Sequence, residues 1–207
     1  MRLGFLGPLP DDDDDLDPIE IAADFLLNEQ QVQRAIYLGA DEALELAVED
    51  WARRLVGDDP SDEAMWSRAA RLANEGSVDA IDAFVAAHRT RQRLRSLESL
   101  PQRILRTIEM VGDRIAVLAY DKSFIDDEDM YAASFLIYGK SEAPLVKKLG
   151  SRWFLTPGPL GPDGGVCVLD ETDDVVLATL FNVDGRALQT EQLHLPKREK
   201  PRPPGAS

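Results

Sequence analysis

Ser134–Gly161, SFLIYGKSEAPLVKKLGSRWFLTPGPLG, holds an apolar run, Phe135-Leu136-Ile137-Tyr138, that breaks at Gly139, and a Thr156-Pro157-Gly158-Pro159 turn that follows in step. A short apolar run bounded by glycine reads as a core strand whose C-terminal end opens into a loop, the usual place for a site in an open α/β sheet. That loop is Gly139-Lys140-Ser141-Glu142. Short strands at about 145–149 and 152–156 follow it, with further strands at about 165–170 and 174–183 and an edge strand at 187–194.

Upstream, Leu3–Leu6 reads as a first strand, stopped by Gly7-Pro8-Leu9-Pro10, where two prolines remove backbone donors. Asp11–Asp15 is a block of like charge: a solvated, self-repelling loop, or an adventitious cation site. A helix is signalled from Asp17 as N-cap, with Pro18 in the first turn and Ile19, Ala22, Ala23, Leu26 and Leu27 at helical spacing. Val32–Leu38 is the second strand, ending at Gly39-Ala40-Asp41, and a helix from Asp41 to Val56 carries Leu44, Val48, Trp51 and Leu55 on one stripe. Two more helices are predicted, from Ser61 to Asn74 and from Ser77 to Leu97, the second ending in Arg89, Arg91, Arg93 and Arg95. The pattern then turns to strands at Ile104–Met110 and Arg114–Tyr120, joined by a Gly112-Asp113 turn, with a short helix over Asp126–Ala133.

The chain has 207 residues, 44% of them apolar, enough for one core. The expected organisation is a single domain over 1–195, with 57–99 as a helical insertion and 196–207 as a flexible Pro- and Lys/Arg-rich tail. A net charge of −15 opposes binding to nucleic acid or to an anionic membrane and is compatible with a basic protein partner. No stretch approaches the ~20 apolar residues of a membrane span, and nothing resembles a signal peptide, so the cytoplasm is the expected compartment. The single cysteine, Cys167, excludes an internal disulfide and lies in an apolar run where a buried thiol is expected.

In their order and spacing these frames resemble the calcineurin-like metallophosphoesterases, in particular the small single-domain phosphodiesterases. Arg2-Leu3-Gly4-Phe5-Leu6-Gly7-Pro8-Leu9-Pro10 is similar to the family opening Arg-Ile-Gly-Val-Ile-Ser-Asp-Thr-His, and Ala35–Ala40 to its strand ending in Gly-Asp. Gly139-Lys140-Ser141-Glu142 stands where the family has Gly-His-Thr-His, and Thr156-Pro157-Gly158-Pro159 where it has Asn-Pro-Gly-Ser. The family's Gly-Asn-His-Asp has no counterpart, and its His-Gly strand end falls near Ala119-Tyr120-Asp121. The resemblance implies an α/β (α+β) fold, a four-layer αββα sandwich. It also implies that Pro8, Pro10, Ala40, Lys140 and Glu142 occupy the places of metal ligands.

A two-metal phosphoesterase needs carboxylates and imidazoles around both ions and a metal-bound water as nucleophile. Proline and alanine have no side-chain donor atom, and the only histidines, His88 and His194, read as ordinary surface or interface residues. No metal, cofactor or catalytic residue is therefore expected. The polar residues left at the strand ends are Asp41, Asp121, Lys122, Lys140, Ser141 and Glu142. Lys122 and Lys140 either hold a phosphate in place of metals or, the reading favoured here, pair with Asp41, Asp121 or Glu142, since an unpaired buried charge is costly. Two functions follow. One is a catalytically inactive scaffold binding another protein, for which the retromer scaffold subunit, which has this fold, is the precedent. The other is a residual phosphodiesterase or a phosphate- or nucleotide-binding protein. For the scaffold, Arg89 with Arg93 and Arg91 with Arg95, each spaced i and i+4, are expected to form two faces for an acidic partner.

Overall fold

The computed structural model describes residues 1–10, 15–172 and 175–194. Most of the acidic block and the C-terminal tail lie outside the described residues.

The chain's first strand, β1 (Arg2–Leu6), pairs in parallel with β2 (Arg34–Tyr37) and antiparallel with β9 (Gly165–Thr172). Burial on both faces explains the apolar run after Arg2, from Leu3 to Leu6. Leu3 and Phe5 point into the space between two sheets, whereas Leu6 packs under helices. β3 (Leu97–Ser99), β10 (Val175–Asn182) and β11 (Ala187–Leu193) complete the first sheet, in the order β11-β10-β9-β1-β2-β3. The second sheet runs β4 (Arg106–Val111), β5 (Arg114–Ala119), β6 (Phe135–Tyr138), β8 (Arg152–Thr156) and β7 (Leu145–Leu149), with β5, β6 and β8 parallel. Both sheets are mixed, and β11 is the edge strand that the sequence predicts.

The layers follow from which face each apolar residue occupies. Phe5, Ile36, Leu38 and Cys167 of the first sheet meet Leu118, Phe135, Ile137 and Leu155 of the second. The outer face of the first sheet is covered by α1 (Asp17–Asp24), which continues as a π-turn over Phe25–Glu29, by α2 (Ala43–Val56) and by the end of α4 (Val78–Leu94). The outer face of the second carries α5 (Asp127–Ala132) over Val117, Ala133 and Leu136. The result is the αββα sandwich. α3 (Asp62–Glu75) packs on α4 instead of on a sheet, with Met65 its one buried residue. The Cys167 thiol is buried between the sheets, and burial pushes its pKa up to about 12. No helix among the described residues is long and apolar enough to cross a membrane.

Several local expectations are corrected. Asp17 is the first helical residue of α1, not its cap; Leu16 holds the cap position, and the Asp17 N–H donates to Asp15 Oδ1 at 3.0 Å. The helix predicted to reach Leu97 ends at Leu94, because Ser96 turns back and donates from both its N–H (3.0 Å) and its hydroxyl (2.7 Å) to the Arg93 carbonyl. That turn frees Leu97–Ser99 to pair with β2 as a strand the sequence does not announce. β4 starts at Arg106, after Leu105 takes a positive φ of 46°, and Ile104 is exposed. The helix caps are as composition suggests: Ser61 and Ser77 accept from Ala64 and Ala80 N–H, and Asp126 and Asp129 form a reciprocal capping box.

One close approach locks the sheets together. A Cβ at Gly7 would stand 1.8 Å from the Gly158 carbonyl oxygen, whereas one at Gly161 would meet nothing within 4 Å. Gly7→Ala is expected to lower stability by about 1–3 kcal/mol through overpacking, and Gly161→Ala by less than about 0.5 kcal/mol. Urea unfolding of both variants checks the difference, and equal midpoints would contradict this packing.

Candidate functional site

The parallel strands β1, β2, β5, β6 and β8 deliver their C-terminal ends to one edge of the sandwich, where the sequence places its candidate site. Backbone contacts draw these ends close. Leu160 N–H donates to the Pro8 carbonyl (2.8 Å), Gly7 N–H to Gly165 (2.8 Å), and Lys140 N–H to Tyr120 (2.7 Å). Gly139 lies so near β2 that a Cβ there would be 2.2 Å from the Leu38 carbonyl oxygen. Pro8 and Ala40 are half-buried at these ends and Pro10 is exposed.

At the C-terminal end of β2 stands Tyr37, fully buried in the core beneath the helices. Its ring turns over Gly39, where a Cβ would come within 2.2 Å of it. The Tyr37 hydroxyl accepts from Leu9 N–H (3.2 Å) and donates to the Asp41 carboxylate at 3.0 Å. Burial pushes the phenol's pKa well above its ordinary value. Asp41 also accepts from Ala43 N–H (3.0 Å), so it anchors the start of α2, and among the described residues it pairs with no lysine. Tyr37 was missed as a site residue. The signal was its position two residues before Gly39, on the same strand face, with only a hydrogen atom beside its ring.

The two lysines differ. Lys140 Nζ lies 3.1 Å from Asp121 Oδ2 and 5.9 Å from the centre of the Tyr120 ring, the pairing that its position at the neighbouring strand end predicts. Lys122 is exposed in the 3₁₀ turn Lys122–Phe124 and forms no ion pair among the described residues, because Asp121 caps that turn through Ser123 N–H (2.9 Å) and swings it outward. Ser141 closes its own loop onto the Ala143 carbonyl (2.8 Å), and Glu142 is exposed. Chemically, the donor set does not fit a two-metal centre. The side chains of Pro8, Pro10 and Ala40 offer no ligand atom, and among the described residues no group of three or more His, Cys, Asp or Glu side chains is placed to hold a metal.

The arginine faces of α4 are also corrected. Arg91 is 8% exposed and its Nη2 binds Asp62 at 2.8 Å, while Arg95 binds the same carboxylate at 2.7 Å. Arg93 donates to Asn28 Oδ1 (2.6 Å) and to the Leu27 carbonyl. Three of the four therefore fasten α3 and α1 to α4, and Arg89, exposed as are Arg93 and Arg95, joins none of these contacts. His88 stacks on Phe84, and His194 offers its carbonyl to Lys148 and Trp153.

No protein-family model and no curated protein matches this sequence. Among solved structures, Vps29 from Chaetomium thermophilum is 13% identical, with 94% of this chain and 99% of that chain covered and a TM-score of 0.50. A double mutant of Vps29 from Entamoeba histolytica is 14% identical over 93% of this chain and 98% of its own, also at 0.50. The fold is that of the calcineurin-like phosphoesterases. A predicted phosphoesterase from Streptococcus pneumoniae matches at 11% identity and a TM-score of 0.49, covering 93% of this chain and 97% of its own. Within this phosphoesterase fold the strand-end edge holds Tyr37 and the Lys140–Asp121 pair.

Two outcomes are expected. Tyr37→Phe leaves a part-buried N–H and a carboxylate short of a partner and should cost about 1 kcal/mol in urea unfolding; an unchanged midpoint would refute the bridge. Asp121 has its pKa held below the usual carboxylate range, first by Ser123 N–H and then by Lys140. A depressed folded pKa contributes stability that is present above about pH 4, the unfolded value, and is lost as pH falls through the folded one. Asp121→Ala should therefore melt below the parent at pH 7, with the gap closing towards about pH 2. A gap of constant size across that window would contradict this assignment.

Proposed function

We propose that this chain is a phosphoesterase-fold protein without phosphoesterase activity, and that it serves as a binding platform for another protein. The carrying observation is the strand-end edge. Where the fold's chemistry would need several ligands on two ions, the edge carries prolines, an alanine and a buried tyrosine hydroxyl already bonded to Leu9 and Asp41. Lys140 is neutralised by Asp121, which weighs against a phosphate held in place of metal. In this reading Pro8, Pro10, Ala40, Asp41, Asp121, Lys140, Ser141 and Glu142 are a structural remnant of a site, and Lys122 and Arg89 are exposed charges available to a partner. The precedent for the platform role is fold-level analogy with the retromer scaffold subunit.

The full chain with added manganese or zinc is expected to give no turnover of bis(p-nitrophenyl) phosphate above buffer containing the same metal. Its melting temperature should not move, whereas a native-state ligand at ~100-fold its Kd would add about 2.7 kcal/mol of stability. Saturable turnover dependent on manganese would overturn the reading.

A further inference from the structure

Outside the strand-end edge, a solvent-open groove of about 630 Å³ runs along α1, walled by α2 on one side and by Val183 and Asp184, between β10 and β11, on the other. Its apolar wall is formed by Ile21, Phe25, Trp51 and Val183. Ile21 is 50% exposed on a helix otherwise acidic on that side. The floor is rigid: Phe25 sits edge-to-face on Phe181 at 5.1 Å, and Gly185 lies so close that a Cβ there would be 2.6 Å from the Phe25 ring.

Asp17, Asp24, Glu29 and Asp184 bring carboxylates to the groove, and the single guanidinium, Arg54, is taken by Glu20. These carboxylates do not converge as metal ligands. With a net charge of −15 on the whole chain, the groove repels anionic surfaces and nucleic acid. Its volume suits two or three side chains. Its openness suits a stretch of polypeptide, whose Lys or Arg heads reach the carboxylates while their aliphatic stems and neighbouring leucines lie on Ile21 and Trp51.

We propose that this groove docks a basic segment of a partner protein, one in which arginine or lysine alternates with aliphatic residues. The proposal goes beyond the platform reading and holds whether or not the strand ends retain chemistry, so the two fail separately.

The test is an NMR titration of the isotope-labelled full chain, following the Trp51 indole N–H with those of Trp66 and Trp153 as internal references. The probe is the acetylated, amidated peptide Arg-Leu-Arg-Leu-Arg. A saturable shift of Trp51 alone is expected, weakened about tenfold or more in the Asp24→Asn, Glu29→Lys double variant, which keeps the parent melting curve because both side chains are exposed and the asparagine amide oxygen can still accept from Asn28. Several results would overturn the proposal. These are no Trp51 shift, equal binding of Glu-Leu-Glu-Leu-Glu, equal binding of spermine (simple counterion attraction), or undiminished binding by the double variant. Binding of a peptide of residues 196–207 in place of the probe would likewise overturn it, by making the chain's own basic sequence the occupant.

Discussion

Everything in this fold hangs on the two-sided burial of β1. With β2 on one edge, β9 on the other, the second sheet against one face and α1 against the other, its backbone groups have no water to turn to and must be met by neighbouring strands. A polar side chain in the middle of this strand would be stranded in one core or the other. The same enclosure fixes where the strand leaves the sheet. Gly7 exits against the Gly158 carbonyl, so the first sheet is seated on the second at the edge where the parallel strands end.

That constraint also explains what could be read directly. Strands enclosed on both faces are written as apolar runs, so β1, β2, β5 and β6 were legible, as were Gly7, Gly39 and Gly139 beyond the ends of β1, β2 and β6, and with them the αββα order. Lys140 and Asp121 were legible as a pair because they end adjacent parallel strands, β6 and β5. Lys122 was not, since a single 3₁₀ turn decides its direction and leaves no periodicity behind. β3 escaped because three residues carry no pattern, and its pairing depends on a turn made by Ser96. The arginines at the end of α4 escape for a more general reason: the counter-charge of Arg91 and Arg95, Asp62, lies 29 and 33 positions away on another helix, where spacing within α4 says nothing about it.

The same residues account for the electrostatic character of the surface. Positive charge is consumed in ties between segments remote in sequence. Arg34 joins Glu98 of β3 to Glu109 of β4 across the two sheets, Arg106 holds the buried Asp129 of α5, and Arg2 meets Asp170. What remains outward is mostly carboxylate, which is why the groove beside α1 carries a field that selects cations and that added salt would weaken.

Cys167 acquires a use from its place between the sheets. A thiol attacks as its thiolate, and this one is both shielded by the sandwich and shifted far from ionisation at neutral pH. A reagent can reach it only when the two sheets part, an event that local fraying of a helix or a loop does not produce. The rate at which the lone thiol is labelled is thus a clock for opening of the sandwich itself, built into the chain and requiring no engineered probe.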